Sequence, residues 1–256
     1  MNDASQNHEP GKEQLAEGTL ISHLVELRSR IMKATLAVVV VFVGLTPFYQ
    51  RVFEYVSAPL RAVLPGGMLA STPTSPFLVP FKTTFFVSLF IAMPVVLFQA
   101  WQFIAPGLYR NEKRLAIPLM ISSIALFYVG MAFAYFVVFR VVFTFFASAT
   151  PEGVTMMTDI SAYLDFVLTI FLVFGLAFEV PIATVMLIWS GLVSIKSLKA
   201  VRAYVFLGAF VAGMLLAPDV FSQTLLAIPV YLLYEAGLIL ARFLLAEKTA
   251  IKEVET

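Results

Sequence analysis

The chain has 256 residues, of which 60% are hydrophobic and only 13% are charged, and its formal net charge is +1. A soluble domain carries roughly a quarter charged residues because most of its surface faces water, so this composition excludes a soluble globular protein and indicates an integral membrane protein. The small net charge gives no reason to expect a nucleic-acid partner, and the absence of cysteine excludes disulfides, thiolate metal sites and a cysteine nucleophile.

The apolar runs of the chain predict membrane helices. They are continuous rather than alternating, and backbone polar groups in hydrocarbon must pair inside the protein. Residues 1–19 predict a polar cytoplasmic tail, and helical spacing of apolar residues from 20 to 31 predicts an interfacial helix that runs into the first span. The membrane domain is expected at residues 20–245 and a C-terminal cytoplasmic tail at 246–256. The predicted spans are about 31–50, 80–104, 115–140, 162–189, 201–216 and 220–242.

The predicted fold class is therefore all-α, a polytopic integral membrane protein with six transmembrane helices whose fifth and sixth members are short. The apolar run of the fifth span, residues 203–218, covers only about 24 Å of a hydrocarbon core that is about 30 Å thick. Lys and Arg concentrate near the ends of the chain and in alternate connections. This bias predicts that both termini are cytoplasmic.

Common enzyme motifs are missing from the sequence. It contains no GxxxxGK[ST], GxGxxG, HExxH or GxSxG segment, which argues against an ATPase, a zinc protease and a serine hydrolase of those types. We therefore expect no enzymatic activity, no catalytic residue, no metal and no cofactor.

Glu179 interrupts the apolar run of the fourth span. A carboxylate in hydrocarbon is expensive and by default marks a functional site, and a structural carboxyl satisfied by a neighbouring helix is the alternative. Pro181, two residues further on, lacks a backbone donor and predicts a bend.

Two alternative functions would depend on such a residue. A six-span secondary transporter of a small solute would use Glu179 as its coupling carboxylate. An intramembrane hydrolase would need a nucleophile and a base, or paired acids, at matching depth, and no such set is found.

Two further carboxylates lie among basic residues on the predicted cytoplasmic side. Glu26 belongs to the segment HLVELRSR and Glu112 to LYRNEKR. Such carboxylates suit an arginine-rich ligand, because guanidinium binds carboxylate through two parallel hydrogen bonds. Local ion pairs with Arg30 and Arg114 are the alternative, and physical chemistry alone favours it because exposed pairs are common and weak.

Five segments resemble, in order, the signature segments of the TatC family, the receptor subunits of twin-arginine protein translocases. They are residues 23–30 (HLVELRSR), 57–60 (SAPL), 103–114 (FIAPGLYRNEKR), 174–181 (FGLAFEVP) and 218–235 (PDVFSQTLLAIPVYLLYE). The resemblance implies a six-helix concave bundle in the bacterial cytoplasmic (inner) membrane. It also implies binding of twin-arginine signal peptides of folded cargo proteins, export driven by the proton-motive force, self-association, and the partners TatA and TatB.

The same resemblance assigns roles on the predicted cytoplasmic surface. It implies that Glu26 and Glu112 are the signal-peptide-binding carboxylates, which reverses the preference for local pairing. The residues implied to line the same surface are Arg28, Phe103 and Arg114.

Three more residues match functional positions of the family. The resemblance implies that Glu179 is an intramembrane glutamate that contacts a partner helix. Pro59 matches a position in the first outer loop, and Asp219 matches the acidic position before the sixth span. The connection at that point, Leu-Ala-Pro-Asp, is shorter here than in many relatives.

Overall fold

The structure, a computed structural model, describes residues 10–63, 68–104, 113–149, 151, 158–216 and 220–254. Almost all of these residues are helical. The helices are α1 (Pro10–Leu45), α2 (Tyr49–Val63), α3 (Ser75–Ile104), α4 (Lys113–Phe133), α5 (Phe139–Ala149), α6 (Ile160–Ala177), α7 (Val180–Trp189), α8 (Ile195–Ala200), α9 (Arg202–Leu216) and α10 (Val220–Val254). A 3-10 turn (Thr46–Phe48) joins α1 to α2, a π-helical turn (Ala134–Val138) joins α4 to α5, and two short strands are β1 (Met68–Leu69) and β2 (Thr158–Asp159).

Among the described residues, five helical segments are long and apolar enough to cross a membrane, and a sixth apolar helix is shorter. The long ones are Ile21–Ala58, Ser75–Ile104, Ile117–Phe146, Ile160–Trp189 and Gln223–Phe243, and the short one is Arg202–Met214. The all-α membrane fold and the short fifth helix are thus confirmed. We number these six segments as spans in chain order, with Arg202–Met214 as the fifth.

The description of the sixth helix as short is wrong, although its predicted bounds, 220–242, lie close to those observed. Its apolar stretch, Gln223–Phe243, has 21 residues, which span about 32 Å at a rise of about 1.5 Å per residue. The helix continues through Glu235, which lies among apolar residues, because both oxygens of that carboxylate have partners in the protein. The Arg202 guanidinium lies 2.5 Å from one of its oxygens, and the Tyr231 hydroxyl donates to the other at 3.1 Å.

Spans two, three and four enclose the main hydrophobic core. Phenylalanine rings fill its centre: Phe127 and Phe174 are fully buried, and Phe90 packs between Phe127 and Phe171. A second, smaller cluster joins span four to span six, where Val185 and Ile188 pack with Leu238. The α1 part of the first span contributes no residue to either cluster, whereas Phe53 and Val56 of α2 pack against the main core. The α1 part packs mainly along α3, and most of its described side chains face outwards.

Glycines bring the third and fourth spans into backbone contact. A Cβ atom placed on Gly130 would lie 2.4 Å from the carbonyl oxygen of Phe174, and one placed on Gly175 would lie 2.5 Å from the Phe127 ring. Spans four and six approach each other in the same way, since a Cβ on Gly237 would lie 2.8 Å from the Cα of Pro181. Small residues are typical where membrane helices pack closely, because lipid supplies no hydrophobic force to hold them together.

The fourth span is broken at Phe178 and Glu179, between α6 and α7. Pro181 occupies the start of α7, where its missing N–H leaves no helical hydrogen bond unmade. The backbone N–H of Glu179 donates instead to the Leu176 carbonyl at 3.0 Å. The span is thus interrupted next to Pro181, where the sequence predicts a bend, and the interruption places the Glu179 side chain at a helix junction.

Asp159 connects two loops at the end of the bundle that is opposite the predicted cytoplasmic end. It lies in β2, which pairs in parallel with β1, and it caps the N-terminus of α6. One carboxylate oxygen accepts from the backbone N–H groups of Ser161 (2.8 Å) and Ala162 (3.0 Å), and the other accepts from Ser71 N–H (3.0 Å). Hydrogen bonds from the Ser71 side chain and from the Ala162 backbone lower the pKa of Asp159 to about 2.

This cap predicts a pH-dependent stability. The pKa of Asp159 is lower in the folded protein, about 2, than its ordinary value of 3.8. Its stabilising effect is therefore complete above the ordinary value and is lost as the pH falls through about 2. We expect Asp159→Ala to lower the unfolding temperature at about pH 6, and the difference from the wild type to shrink as the pH approaches about 2. Thermal unfolding of the detergent-solubilised protein at several pH values measures this. A difference that stays constant with pH would contradict it.

Candidate functional site

Arg30 links the first and second spans at the end that is predicted to be cytoplasmic. Its Nη2 donates to Glu26 Oε1 at 3.2 Å, one turn back along α1. Its Nη1 donates to the side-chain oxygens of Gln102 and, at 3.4 Å, Gln99, both on α3. The local ion pair that the sequence offered as an alternative at Glu26 is therefore present. The two glutamines are partners that the sequence analysis missed, although amides three residues apart near the end of an apolar helix are a recognisable signal.

An aromatic pair lies beside this polar cluster. The rings of His23 and Phe103 stack with their centres 4.4 Å apart, which joins the N-terminal half of α1 to the C-terminal end of α3. Arg28 is exposed on α1. The structure thus brings Glu26 and Phe103 to the same contact between α1 and the end of α3, with Arg28 nearby on α1. The part played by His23 was not predicted.

Two of the predicted surface residues cannot be placed in the same way. Glu112 lies outside the described residues, in the interval 105–112. Arg114 belongs to α4, but its side chain is outside what the structure describes. Their grouping with Glu26 stays a prediction.

Glu179 faces Ser123 of the third span. The Ser123 hydroxyl donates to Glu179 Oε2 at 2.5 Å. The other carboxylate oxygen, Oε1, is buried and has no hydrogen-bond partner in the part of the chain that the structure describes. A buried polar atom without a partner costs free energy, so this carboxyl is only half satisfied by its own chain. Ser123 was missed by the sequence analysis, although it is a small polar residue inside an apolar run.

The last two predicted functional positions are only partly described. Pro59 falls within α2, and its side chain is outside the described residues. Asp219 lies in the interval 217–219, which is also outside them. Neither role is tested by the structure.

Another ion pair connects spans two and four. Lys82 of α3 lies 2.5 Å from the Asp165 carboxylate of α6, and both side chains are about half exposed. Within the described ranges, no group of three or more His, Asp or Glu side chains is arranged to hold a metal ion.

The arrangement defines a class of protein: a multi-pass helical membrane protein with a carboxylate–guanidinium cluster at one end and a half-satisfied glutamate within its fourth span. Residues 22–229 match the family model described as TatC, Sec-independent protein translocase protein. The chain belongs to the TatC family of protein translocase subunits.

Individual relatives agree with this assignment. The Sec-independent protein translocase protein TatC of Azotobacter chroococcum mcd 1 is 62% identical over 221 residues, which cover 85% of this chain and 87% of that protein. Its counterpart in Escherichia coli (strain K12) is 54% identical over 227 residues, covering 88% of each. The crystal structure of the twin-arginine translocase receptor TatC superposes with a TM-score of 0.79 at 37% identity, covering 86% of this chain and 98% of the other.

These comparisons decide between the alternatives drawn from the sequence. The chain is a multi-pass membrane component of protein translocation. The alternative of a small-solute transporter with Glu179 as coupling carboxylate is not supported, since these relatives, which match most of the chain, are protein translocase proteins.

Proposed function

We propose that this chain is the signal-peptide receptor and core subunit of a twin-arginine translocase that exports folded proteins across the bacterial cytoplasmic membrane. The observation that carries the proposal is the Glu26 carboxylate, which is 34% exposed and already binds a guanidinium, that of Arg30. A carboxylate that binds the guanidinium of Arg30 has the charge and geometry to bind the guanidinium of a ligand in its place. The relative solved by crystallography is titled a twin-arginine translocase receptor, which supports the same role.

In the proposed mechanism, Glu26 and Glu112 pair with the two arginines of the signal peptide, and Arg28, Phe103 and Arg114 line the surface around them. A guanidinium is planar and stacks on aromatic faces as well as binding carboxylates, so the His23–Phe103 stack is a suitable neighbour. Arginine is preferred over lysine at such a site because the ammonium of lysine lacks the two-pronged geometry.

The proposal includes a contact with TatA or TatB at Glu179, and self-association of the receptor. The unpartnered Oε1 atom of Glu179 supports this, since a polar group on a partner helix would complete its hydrogen bonding. Pro59 and Asp219 are further candidates for functional contacts.

In the same proposal, the proton-motive force drives transport. The chain itself catalyses no reaction and holds no cofactor. Both of its termini face the cytoplasm.

Binding of signal peptides tests the receptor role. We expect purified protein to bind a peptide carrying Arg-Arg more tightly than a matched Lys-Lys peptide. Glu26→Gln should weaken binding of the Arg-Arg peptide about two- to five-fold, because an ion pair with a partly exposed carboxylate contributes up to about 1 kcal/mol. Glu112→Gln should act in the same direction. Affinity by fluorescence anisotropy or crosslinking yield measures both.

Glu54→Gln is the matched control, because Glu54 is an exposed glutamate on α2, far along the chain from the Glu26 cluster. It removes the same charge and should leave the affinity unchanged. Equal binding of both peptides by the wild type, insensitive to Glu26 and Glu112, would refute the receptor role.

A further inference from the structure

The guanidinium of Arg30 is shared between two helices. Its Nη2 atom is 3.2 Å from Glu26 on its own helix, whereas its Nη1 atom donates to Gln99 and Gln102 on α3. The Arg30 side chain is 24% exposed and that of Glu26 is 34% exposed. The pair is held by its neighbours and can still be reached from water.

The Glu26 carboxylate is therefore occupied by the same chemical group that the proposed ligand would bring. Among the described residues, Arg30 is the only cation within ion-pair distance of Glu26. An arginine of a signal peptide cannot form its full set of hydrogen bonds with this carboxylate until Arg30 gives up its share. Any preference of Glu26 for Arg30 is thus subtracted from the affinity for cargo.

We propose that Arg30 is a resident competitor that sets the affinity threshold of the Glu26 site. It occupies the carboxylate in the absence of cargo, and it is retained by Gln99 and Gln102 when a cargo arginine takes its place. This inference rests on the proposed function, because it concerns the regulation of the same site.

The two glutamines make the exchange possible. When Nη2 leaves Glu26, the Nη1 hydrogen bonds to the amide oxygens remain, so the guanidinium keeps its position on α3. The freed donors of Nη2 are near the surface and can bind water, which avoids a buried unpaired charge. Without the glutamines, release of Glu26 would leave Arg30 without protein partners among the residues described.

Affinity measurements on Arg30→Gln test the competition. Removing the competitor should tighten binding of the Arg-Arg and Lys-Lys peptides by the same factor, about two- to five-fold, which corresponds to an ion pair at the strong end of the partly exposed range. The ratio of the two affinities should stay constant, because either peptide gains the same vacant carboxylate. In the Glu26→Gln background, Arg30→Gln should have no effect, since nothing is left to compete for.

Lys33→Gln is the control for net charge, because Lys33 is an exposed cation one turn beyond Arg30. It should change the affinity much less than Arg30→Gln. Arg30→Lys keeps the charge and gives an intermediate affinity, which covers the case in which Arg30→Gln does not fold.

Two results would overturn the inference. One is weaker or unchanged peptide binding by Arg30→Gln and Arg30→Lys, which would mean that Arg30 orients Glu26 for the ligand or plays no part. The other is an effect of Arg30→Gln that persists without the Glu26 carboxylate. Either result leaves the receptor role standing if the wild type prefers Arg-Arg and loses this preference in Glu26→Gln. If the wild type binds the Arg-Arg and Lys-Lys peptides equally well, the proposed function itself fails.

Discussion

Gly130→Ala is expected to lower the thermal unfolding temperature of the purified protein and the yield of folded protein in the membrane. The added Cβ would lie 2.4 Å from the carbonyl oxygen and 2.9 Å from the carbonyl carbon of Phe174. Both atoms belong to the backbone of α6, so the overlap cannot be relieved by rotating a side chain. The third and fourth spans must move apart, which loosens the contacts of Phe127 and Phe174 in the core. Overpacking of this kind costs about 1–3 kcal/mol or more.

Gly208→Ala is the matched control for this substitution. Gly208 also lies within a membrane helix, α9, but a Cβ placed there meets no atom within 4 Å. Alanine is the better helix former by roughly 0.5–1 kcal/mol, so this variant should be neutral or slightly more stable. Equal unfolding temperatures for the two variants would show that the close approach of spans three and four does not limit stability.

Glu179→Leu is expected to weaken the proposed association of the chain with TatA or TatB about three- to twenty-fold. This range corresponds to a single interhelical hydrogen bond in a membrane, about 0.6 kcal/mol on average and at most about 1.7 kcal/mol. The prediction follows from the buried Oε1 atom of Glu179, which has no partner in the described part of the chain. Leucine removes this unsatisfied atom but also the acceptor of the buried Ser123 hydroxyl, so we expect the two effects on the stability of the isolated protein to offset each other. Co-purification of the partners at graded detergent stringency measures the association.

Ser123→Ala separates a partner contact from a purely internal role of Glu179. Ser123 donates to Oε2, so its removal disturbs the internal hydrogen bond and leaves Oε1 available to a partner. We expect Ser123→Ala to retain most of the association. If both variants retain it fully and both lower the unfolding temperature, Glu179 serves only to join spans three and four.

Most of the fold followed from the hydropathy of the sequence. Continuous apolar runs must become helices in lipid, and Pro181 identified the break in the fourth span two residues before it in the chain. The sixth helix was described as short because its uninterrupted apolar run ends at Tyr234, although its predicted bounds, 220–242, already extend past Glu235. A charged residue can lie within a membrane span when it is paired. The pairing with Arg202 and Tyr231 depends on how α9 packs against α10, which no local pattern reveals.

The candidate site was less accessible to sequence reasoning. Glu179 was recognised because a carboxylate in hydrocarbon is conspicuous on chemical grounds, whereas the functional role of Glu26 followed only from the resemblance to the TatC family. Their partners on other helices were not found: Gln99 and Gln102 reach Arg30 only because α1 runs along the end of α3, and Ser123 reaches Glu179 across the third and fourth spans. Contacts of this kind join residues 56 to 72 positions apart, and only the packing of the helices brings them together.

The attachment of α1 to the bundle mainly through α3 has a mechanical consequence. A helix that packs mainly on one neighbour can tilt or slide by disturbing that interface, whereas movement of any helix in the phenylalanine-filled core would disturb several interfaces at once. The Glu26 cluster lies at the interface between α1 and α3, with Arg30 on α1 and the two glutamines on α3. Replacement of Arg30 by an incoming arginine at Glu26 would break a contact within α1 and keep the hydrogen bonds from Arg30 to α3, so α1 could respond to the ligand without losing its attachment to the bundle.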